Sequence, residues 1–353
     1  MSADNFDFAV VGGGVAGLMT ACELSKAGAA VAVLDAGYPP ASAAGAGILS
    51  ALPPWKYNAH INALIDESSK HFGSIAHEIE AAGGGDCEWR RSGMLAVGGN
   101  LPAAPPGGTA TPVRWLAPLL ALPPNQYGIW MPEVARVRAS VFVSGLATMA
   151  KNRGVRFFGG AAGFAVGGGK VKNLLLADGK KLSAGDYILC AGALSGELCP
   201  PPAPPITPAR GQLLLYASPK PLLCIVFADG ADEGLYLVPR NDDAIIAGAS
   251  FEHAGFDDRP AAAVQDALHK KAAALFPPLA DAQILNSWSG LRPMLPDDMP
   301  VIGAHPECGN LYLNTGHGRY GISMAPAAAR HLLKIMKDKT AENPFAFRAE
   351  WAE

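Results

Sequence analysis

Apolar and polar positions in the first 35 residues follow two different periods. The apolar run at residues 8–11 has the length of a buried strand, and residues 18–28 carry apolar side chains at helical spacing. A second apolar run, at residues 30–35, ends in Asp35. This pattern predicts a strand, a glycine-rich turn, a helix and a second strand.

The turn between the first strand and the helix contains Gly12, Gly14 and Gly17. In a strand–turn–helix unit these glycines allow a tight turn, a close approach of the backbone to a pyrophosphate and close packing of helix on strand. A carboxylate at the end of the second strand, here Asp35, accepts hydrogen bonds from ribose hydroxyls. The unit predicts a dinucleotide site, whereas the glycines alone would also fit an ordinary turn.

Further helices are predicted from helical spacing at about residues 58–82, 139–153 and 261–275. The glycines at 167–169 precede an apolar run and open no helical pattern, which predicts a hairpin turn and not a second nucleotide loop. Enzymes that pass electrons from NADPH to bound FAD usually need two such loops. The single loop therefore favours a flavin that an organic substrate reduces directly.

The proline-rich segment 200–211 favours extended backbone and marks a crossing between domains. Four short apolar runs separated by turn residues follow it and predict an antiparallel sheet. We predict an α/β fold with a Rossmann-like nucleotide domain and a mainly antiparallel α+β substrate domain, both discontinuous in sequence. The predicted nucleotide domain comprises residues 1–83, 138–205 and 285–353, and the substrate domain comprises residues 84–137 and 206–284.

Composition and charge narrow the function classes. Of the 353 residues, 50% are apolar and 17% charged, which argues against disorder. The net charge of −3, without a block of like charges, disfavours a nucleic-acid partner. The 6 cysteines form no C-x-x-C pair, so neither a zinc site nor a disulfide framework is indicated. Without a signal peptide or a transmembrane run, we expect a cytoplasmic protein, either monomeric or homo-oligomeric.

Six segments, in their order along the chain, resemble FAD-dependent amine oxidases of the D-amino-acid oxidase and glycine oxidase family. They are VVGGGVAGL, AAGAGILS, CAGALSG, YLVPR with AGAS after it, WSGLRPMLPD and TGHGRYGISMAP. The segment ILSALPPWKY is similar to a loop of the glycine oxidases associated with thiamine biosynthesis. The resemblance covers nearly the whole chain and implies that the nucleotide domain binds FAD.

The resemblance also implies which residues contact the cofactor. Besides the three glycines, the ADP-binding turn and the adenine side are matched by Val15, Ala16, Asp35, Ala36 and Ala162. The loop beside the pyrophosphate and the isoalloxazine ring is matched by Ala41, Ser42, Ala46, Gly47 and Ile48. The segment around the flavin edge is matched by His317, Gly318, Arg319, Tyr320, Gly321, Ile322 and Ser323. The family's covalent-flavin branch has a cysteine where this chain has Gly290, so we expect non-covalent FAD.

Three side chains are candidates for catalysis: Arg292, Tyr236 and Arg319. Arg292 matches the family arginine that binds the substrate carboxylate, and Tyr236 matches a tyrosine that assists it. A guanidinium fits a carboxylate through two parallel hydrogen bonds, although an ion pair with Asp297 or Asp298 would also satisfy Arg292. Arg319 would place positive charge near the flavin edge where negative charge accumulates. A half-buried core position for Tyr236 and a surface contact for Arg319 are the alternatives.

Three positions depart from the family pattern. Gly318 stands where an aromatic residue is common, and Tyr320 stands where asparagine is common. Phe251 occupies the place of a methionine near the substrate of glycine oxidases, and we assign it to the substrate pocket. Because these changes alter the shape of the pocket, the resemblance leaves the preferred substrate open.

The predicted function is FAD-dependent oxidation of a small amino acid or amine, such as glycine, sarcosine or a D-amino acid. Hydride transfer from Cα to flavin N5 would give an imino acid and, with oxygen as the acceptor, hydrogen peroxide. One alternative is a dehydrogenase of the same fold that uses a quinone or oxidises a 2-hydroxy acid. The other is a non-catalytic flavoprotein. We expect no metal site.

Overall fold

The computed structural model of the protein describes residues 6–98, 101–102, 107–123, 125–230 and 234–351. Two large sheets organise these residues. One has six strands and the other has eight, and two three-stranded sheets accompany them. The predicted α/β class, with a Rossmann-like part and a mainly antiparallel part, is confirmed.

The six-stranded sheet has the strand order β19-β20-β13-β1-β2-β9. All of its pairings are parallel except that between β19 and β20. Its strands come from both ends of the chain and from the middle: β1 (Phe6–Val11), β2 (Val31–Asp35), β9 (Arg156–Gly159), β13 (Ala184–Leu189), β19 (Val301–Ala304) and β20 (Leu311–Thr315). The six-stranded sheet is therefore assembled from segments that are far apart in the chain.

Helices cover this sheet because their apolar sides need a partner. Helix α1 (Val15–Lys26) connects β1 to β2, and its residues Leu18, Met19 and Cys22 are almost fully buried. It packs against α8 (Gly321–Lys337) and α5 (Ala139–Asn152) in one apolar core. The first turn of α8 thereby lies close to the first turn of α1.

The eight-stranded sheet has the order β18-β14-β17-β16-β15-β5-β7-β6. Its pairings are antiparallel except that between β15 and β5. The strands are β5 (Met94–Gly98), β6 (Thr109–Pro112), β7 (Tyr127–Met131), β14 (Thr207–Ala217), β15 (Ile225–Asp229), β16 (Leu235–Pro239), β17 (Ala244–Gly248) and β18 (Ile284–Met294). Helix α7 (Ala262–Leu275) packs on one face, and the predicted antiparallel sheet is thus confirmed.

In the described part of the chain, two small sheets and four further α-helices accompany the two large sheets. One small sheet joins β3 (Ile48–Leu49), β8 (Ala135–Arg136) and β4 (Arg90–Arg91). The other joins β10 (Ala161–Val166), β11 (Val171–Leu176) and β12 (Lys181–Leu182), so the glycines at 167–169 form the predicted hairpin turn. The remaining helices are α2 (Ala59–Ser69), α3 (Phe72–Ala81), α4 (Val113–Leu116) and α6 (Ser195–Leu198).

Two sequence-based expectations differ from the structure. The single helix predicted at residues 58–82 is two helices, α2 and α3, separated at Lys70 and His71. Strand β18 pairs along β14 in the eight-stranded sheet, whereas the predicted bounds placed residues 285–294 with the nucleotide domain. Apolar spacing alone misses a short interruption between helices and gives no information on the partner of a strand. The other predicted domain bounds stay a prediction.

Among the described residues, no helix is long and apolar enough to cross a membrane. No group of three His, Cys, Asp or Glu side chains in that part of the chain is arranged to hold a metal ion.

Candidate active site

The glycine-rich turn leaves no room for side chains. Gly12 has a φ of +118°, which disfavours other residues, and a Cβ on it would overlap the carbonyl oxygen of Cys190, which directly follows the neighbouring strand β13. A Cβ on Gly17 would overlap the carbonyl oxygen of Gly12, so α1 starts directly against the turn. These contacts place the start of α1 at the carboxyl end of the sheet, where nucleotides bind in such folds.

The N-terminus of α1 is suited to a phosphate. Gly14 is the N-cap, no side chain caps the helix at this residue, and the first turn contains no acidic residue. The Val15 N–H donates to Ser42 Oγ over 3.1 Å, which brings the predicted pyrophosphate loop to the helix end. Ala16 follows in the same turn and is partly exposed. Free N–H groups and the positive end of the helix dipole attract an anion to this place.

Asp35 ends β2 beside the glycine turn. A Cβ on Gly13 would lie 2.5 Å from Asp35 Oδ2, so only glycine allows the carboxylate this position. Ala36 is exposed, and a Cβ on Gly160 would lie 2.7 Å from the Ala36 Cβ. The exposed Ala162 comes two residues after Gly160, at the start of β10. The residues predicted for the ribose and adenine thus lie at one edge of the parallel sheet.

The predicted pyrophosphate and flavin loop, residues 41–48, lies between the two large sheets. Ala41 and Ala44 approach Gly290 on β18 so closely that a Cβ there would lie 2.7 Å from the Ala44 Cβ. The indole N–H of Trp288 donates to the Ala44 carbonyl over 2.8 Å. At the other end of the loop, Ala46 and Gly47 lead directly into β3, which begins at Ile48. The loop is therefore fixed to the eight-stranded sheet at one side.

The segment 317–323 forms the junction between β20 and α8. His317 is buried, burial lowers its pKa to about 4, and its Nε2 has no hydrogen-bond partner among the described residues. Ser323 donates its Oγ–H to the Ile48 carbonyl over 2.9 Å, and Ile322 packs against Gly45. This part of the segment lies against the predicted flavin loop.

Tyr320 faces a different neighbour. Its ring contacts that of Tyr57 edge-on at 4.8 Å between centroids, and its hydroxyl is within 3.4 Å of both the amide nitrogen and the carbonyl oxygen of Leu52. Burial raises the Tyr320 pKa well above its ordinary value. Tyr320 therefore anchors the segment of residues 52–57, and its predicted contact with the cofactor stays a prediction.

The three predicted catalytic side chains lie together in one cleft with Phe251. The Tyr236 hydroxyl is hydrogen-bonded to the Arg292 side chain, and the charges of both Arg292 and Arg319 act on its pKa. Burial raises the Tyr236 pKa, although the two guanidinium groups oppose the shift. The Phe251 ring centroid is 4.5 Å from Arg319 Cζ and 5.9 Å from Arg292 Cζ. The cleft thus presents cationic donors around one aromatic ring.

Two glycines on neighbouring strands make room in this cleft for the side chains of Arg292 and Tyr236. A Cβ on Gly211 of β14 would overlap the Arg292 guanidinium. A Cβ on Gly248 of β17 would lie 2.6 Å from the Tyr236 hydroxyl oxygen. Sequence reasoning missed both residues, although an isolated glycine inside a strand pattern signals a close approach of another group.

The neighbours of Arg292 bear on whether it is available to a carboxylate or forms an ion pair with Asp297 or Asp298. Its Nη1 donates to the Ser250 carbonyl over 3.1 Å. Asp297 is held by Arg348, whose Nε and Nη2 lie 2.9 and 2.8 Å from Asp297 Oδ2. Asp298 lines a small cavity together with Arg319 and Tyr57. Arg292 therefore lies with Tyr236 and Ser250, and Asp297 has a different arginine as its partner.

The described residues fit a dinucleotide with a flavin ring. The turn at Gly12 and Gly17 is free of side chains, the N-terminus of α1 has no acidic residue, and the buried His317 Nε2 is left for a further partner. The loop 41–48 contacts the start of α1 at Ser42, the junction after β20 through Ser323, and β18, the strand of Arg292, at Gly290. This arrangement matches a cofactor between the two sheets.

Comparisons with known proteins agree with this geometry. The sequence profile described as DAO, FAD dependent oxidoreductase, matches residues 7–335. A glycine oxidase of Pseudomonas putida is 34% identical over 340 residues, covering 91% of this chain and 92% of the relative. A glycine oxidase of Pseudomonas aeruginosa is 32% identical and covers 94% of both. The crystal structure of glycine oxidase from Geobacillus kaustophilus has a TM-score of 0.88 at 25% identity, covering 98% of this chain and 99% of that chain.

Proposed function

The chain belongs to the FAD-dependent oxidoreductase family, and from this premise we propose that it oxidises a small amino acid or amine at its Cα–N bond. The observation that carries the proposal is the meeting of Arg292 and Tyr236 above Gly211 and Gly248, in a cleft beside the loop 41–48. The glycine oxidases among its relatives support a small substrate such as glycine, sarcosine or a small D-amino acid.

Arg292 and Tyr236 bind the substrate carboxylate. A guanidinium presents parallel N–H donors that match the two carboxylate oxygens, and the Tyr236 hydroxyl adds a further donor. Successive residues of a strand point to opposite faces, so Gly290 and Arg292 of β18 share one face. Because the loop 41–44 covers that face at Gly290, a carboxylate on Arg292 directs the substrate Cα toward the loop.

FAD would be held without a covalent bond by the glycine turn and the loop 41–48, and it would supply the acceptor for the hydride that leaves the substrate Cα. The substrate amine binds in its neutral form and loses a proton as the C=N bond forms. Water then adds to the imino acid, which gives the oxo acid and ammonia, or methylamine from sarcosine. With oxygen as the final acceptor, the two electrons and two protons taken from the substrate would reduce oxygen to hydrogen peroxide.

Phe251 limits the size of the substrate. Its ring lies beside both guanidinium groups and also contacts the His253 ring edge-on at 5.3 Å between centroids. A substrate side chain on the Phe251 side of the cleft would displace this ring. The chain is therefore proposed to prefer substrates with a hydrogen atom or a methyl group at this position.

Arg319 contributes electrostatically. The residue is half-buried and lies two positions before α8, whose N-terminal end carries a positive dipole. Positive charge at this end of the cleft favours anionic groups, both the substrate carboxylate and the negative charge that develops on the reduced cofactor.

We also propose a reducing compartment, the cytoplasm, for the enzyme. All six cysteines are free and buried. Burial raises the pKa of the Cys22 and Cys224 thiols to about 12, which keeps them protonated and unreactive. These thiols have structural positions in the apolar cores.

The test is an anaerobic substrate screen that follows the flavin absorption band. Glycine, sarcosine and D-alanine are expected to bleach the band, whereas D-phenylalanine and glycolate are expected to leave it unchanged. Rapid return of the band on mixing with oxygen would support an oxidase, and return only with a quinone would indicate a dehydrogenase. A spectrum that no amine bleaches would refute the proposed function.

A further inference from the structure

Arg240 follows the end of β16 and reaches the predicted flavin loop. Its Nη1 donates to the Val137 carbonyl over 2.8 Å, and its Nη2 donates to the Ala46 carbonyl. The residue is only 6% exposed. One guanidinium therefore joins the loop 46–48 to the segment that leads from β8 into α5.

The environment of Arg240 makes its burial costly. Burial, together with the charge of Arg136, lowers its pKa to about 10, while Glu88 opposes the shift. Arg136 is itself buried, and Arg138 forms an ion pair with Glu88 at 2.6 Å. Arg240 stays protonated at neutral pH under these conditions, and a buried charge needs strong hydrogen bonds to be tolerated. The two carbonyls satisfy Nη1 and Nη2, whereas the buried Nε has no hydrogen-bond partner among the described residues.

The loop that Arg240 holds is tightly constrained on its other sides. Gly47 has a φ of +76°, and a Cβ there would overlap the Val137 carbonyl oxygen. The Val137 N–H donates to the Gly47 carbonyl over 2.9 Å. Ser323, at the start of α8, holds the Ile48 carbonyl. Removing Arg240 would release the loop at Ala46 while these other contacts remain.

We propose that Arg240 is a positioning residue that fixes the loop 46–48 for the flavin and couples it to β16, the strand that carries Tyr236. Tyr236 lies near one end of β16, and Arg240 directly follows the other end. The same strand thereby sets the position of a substrate contact and of a cofactor contact. The inference rests on the proposed role of the loop in holding the flavin.

The fork of a guanidinium explains why arginine is needed here. Two of its nitrogens donate to two carbonyl oxygens in one plane, which a single ammonium group reproduces poorly. Arg240→Lys would keep the charge but weaken the link between Ala46 and Val137. Arg240→Met would remove both hydrogen bonds and keep most of the apolar stem.

The experiment compares FAD binding by apoprotein of the wild type, Arg240→Met and Arg240→Lys, measured by quenching of flavin fluorescence. Arg138→Met is the matched control, because Arg138 belongs to the same charge cluster but its side chain contacts Glu88 and Asp242. We expect Arg240→Met to weaken FAD binding about tenfold or more, from the loss of charge-assisted hydrogen bonds. Arg240→Lys should weaken it about threefold or more, and Arg138→Met about twofold or less.

Equal weakening by Arg240→Met and Arg138→Met would overturn the inference, because it would indicate a general loss of stability. Unchanged FAD affinity of Arg240→Lys would also overturn it, and this variant decides the matter if Arg240→Met does not fold. At saturating FAD, Arg240→Lys should slow anaerobic flavin reduction and leave the substrate dissociation constant unchanged. The wild-type substrate screen tests the proposed function separately, since it does not depend on either variant.

Discussion

Replacing Arg292 by methionine is the most direct test of the carboxylate-binding cleft. The substitution keeps an unbranched apolar side chain above Gly211 and removes every guanidinium donor. Ser250 then loses the donor to its carbonyl, and the Tyr236 hydroxyl loses its charged hydrogen-bond partner while Arg319 remains nearby. Neither change affects the glycine turn, so FAD binding should be retained.

The size of the effect follows from the number of hydrogen bonds lost. A hydrogen bond to a charged group contributes about 1.5–3 kcal/mol, and a carboxylate on a guanidinium makes two of them. Because Arg292 is half-buried and also donates to Ser250, we take the lower end of this range. The expected loss is about 3 kcal/mol of transition-state stabilisation, or roughly 150-fold in kcat/KM.

The assay measures flavin reduction by glycine and sarcosine in a stopped-flow instrument without oxygen. Arg259→Met is the control, because the Arg259 side chain is 84% exposed and forms a surface ion pair with Asp257. Such pairs contribute about 0–1 kcal/mol to stability, so kcat/KM of the control should change by about twofold or less. An Arg292→Met variant with full activity and normal FAD content would refute the carboxylate-binding role.

Three further predictions concern single residues. Gly47→Ala should lower the free energy of unfolding in urea by about 2 kcal/mol or more, because the residue has a positive φ and its Cβ would overlap the Val137 carbonyl; unchanged stability would contradict this geometry. Phe251→Ala should raise kcat/KM for D-phenylalanine relative to glycine, and an unchanged ratio would exclude Phe251 as the size limit. Burial lowers the His317 pKa to about 4, so protonation of the unfolded chain should reduce apoprotein stability by about 2 kcal/mol between pH 7 and pH 5. His317→Asn should remove this part of the pH dependence, and an equal slope in both proteins would contradict it.

The first 35 residues predict their structure well because local signals there all agree. A short strand, Gly12, Gly17 and Asp35 occur at the spacing of one supersecondary unit, and each has a physical reason for its place. The contacts of Gly12 with Cys190 and of Gly13 with Asp35 show that steric limits at the turn determine these residues. No long-range information is needed to recognise such a unit.

Contacts between distant strands are less accessible from the sequence. The glycines at 211 and 248 matter because the side chains of Arg292 and Tyr236 cross them, and this crossing depends on the strand order of the eight-stranded sheet. The link from Arg240 to Ala46 joins residues that are 194 positions apart. Apolar periodicity describes one element at a time and gives no information on which distant residues come into contact.

Strand β18 shows how the sheet itself brings cofactor and substrate together. Gly290 and Arg292 are two positions apart in β18, so they share a face and lie about 7 Å apart along the strand. At Gly290 the absent side chain admits the loop 41–44, and at Arg292 a charged side chain extends from the same face. A shift of the β14–β18 register by one residue would turn both to the opposite face. The long pairing of β18 with β14 therefore fixes the distance and direction between the proposed flavin loop and the proposed carboxylate site.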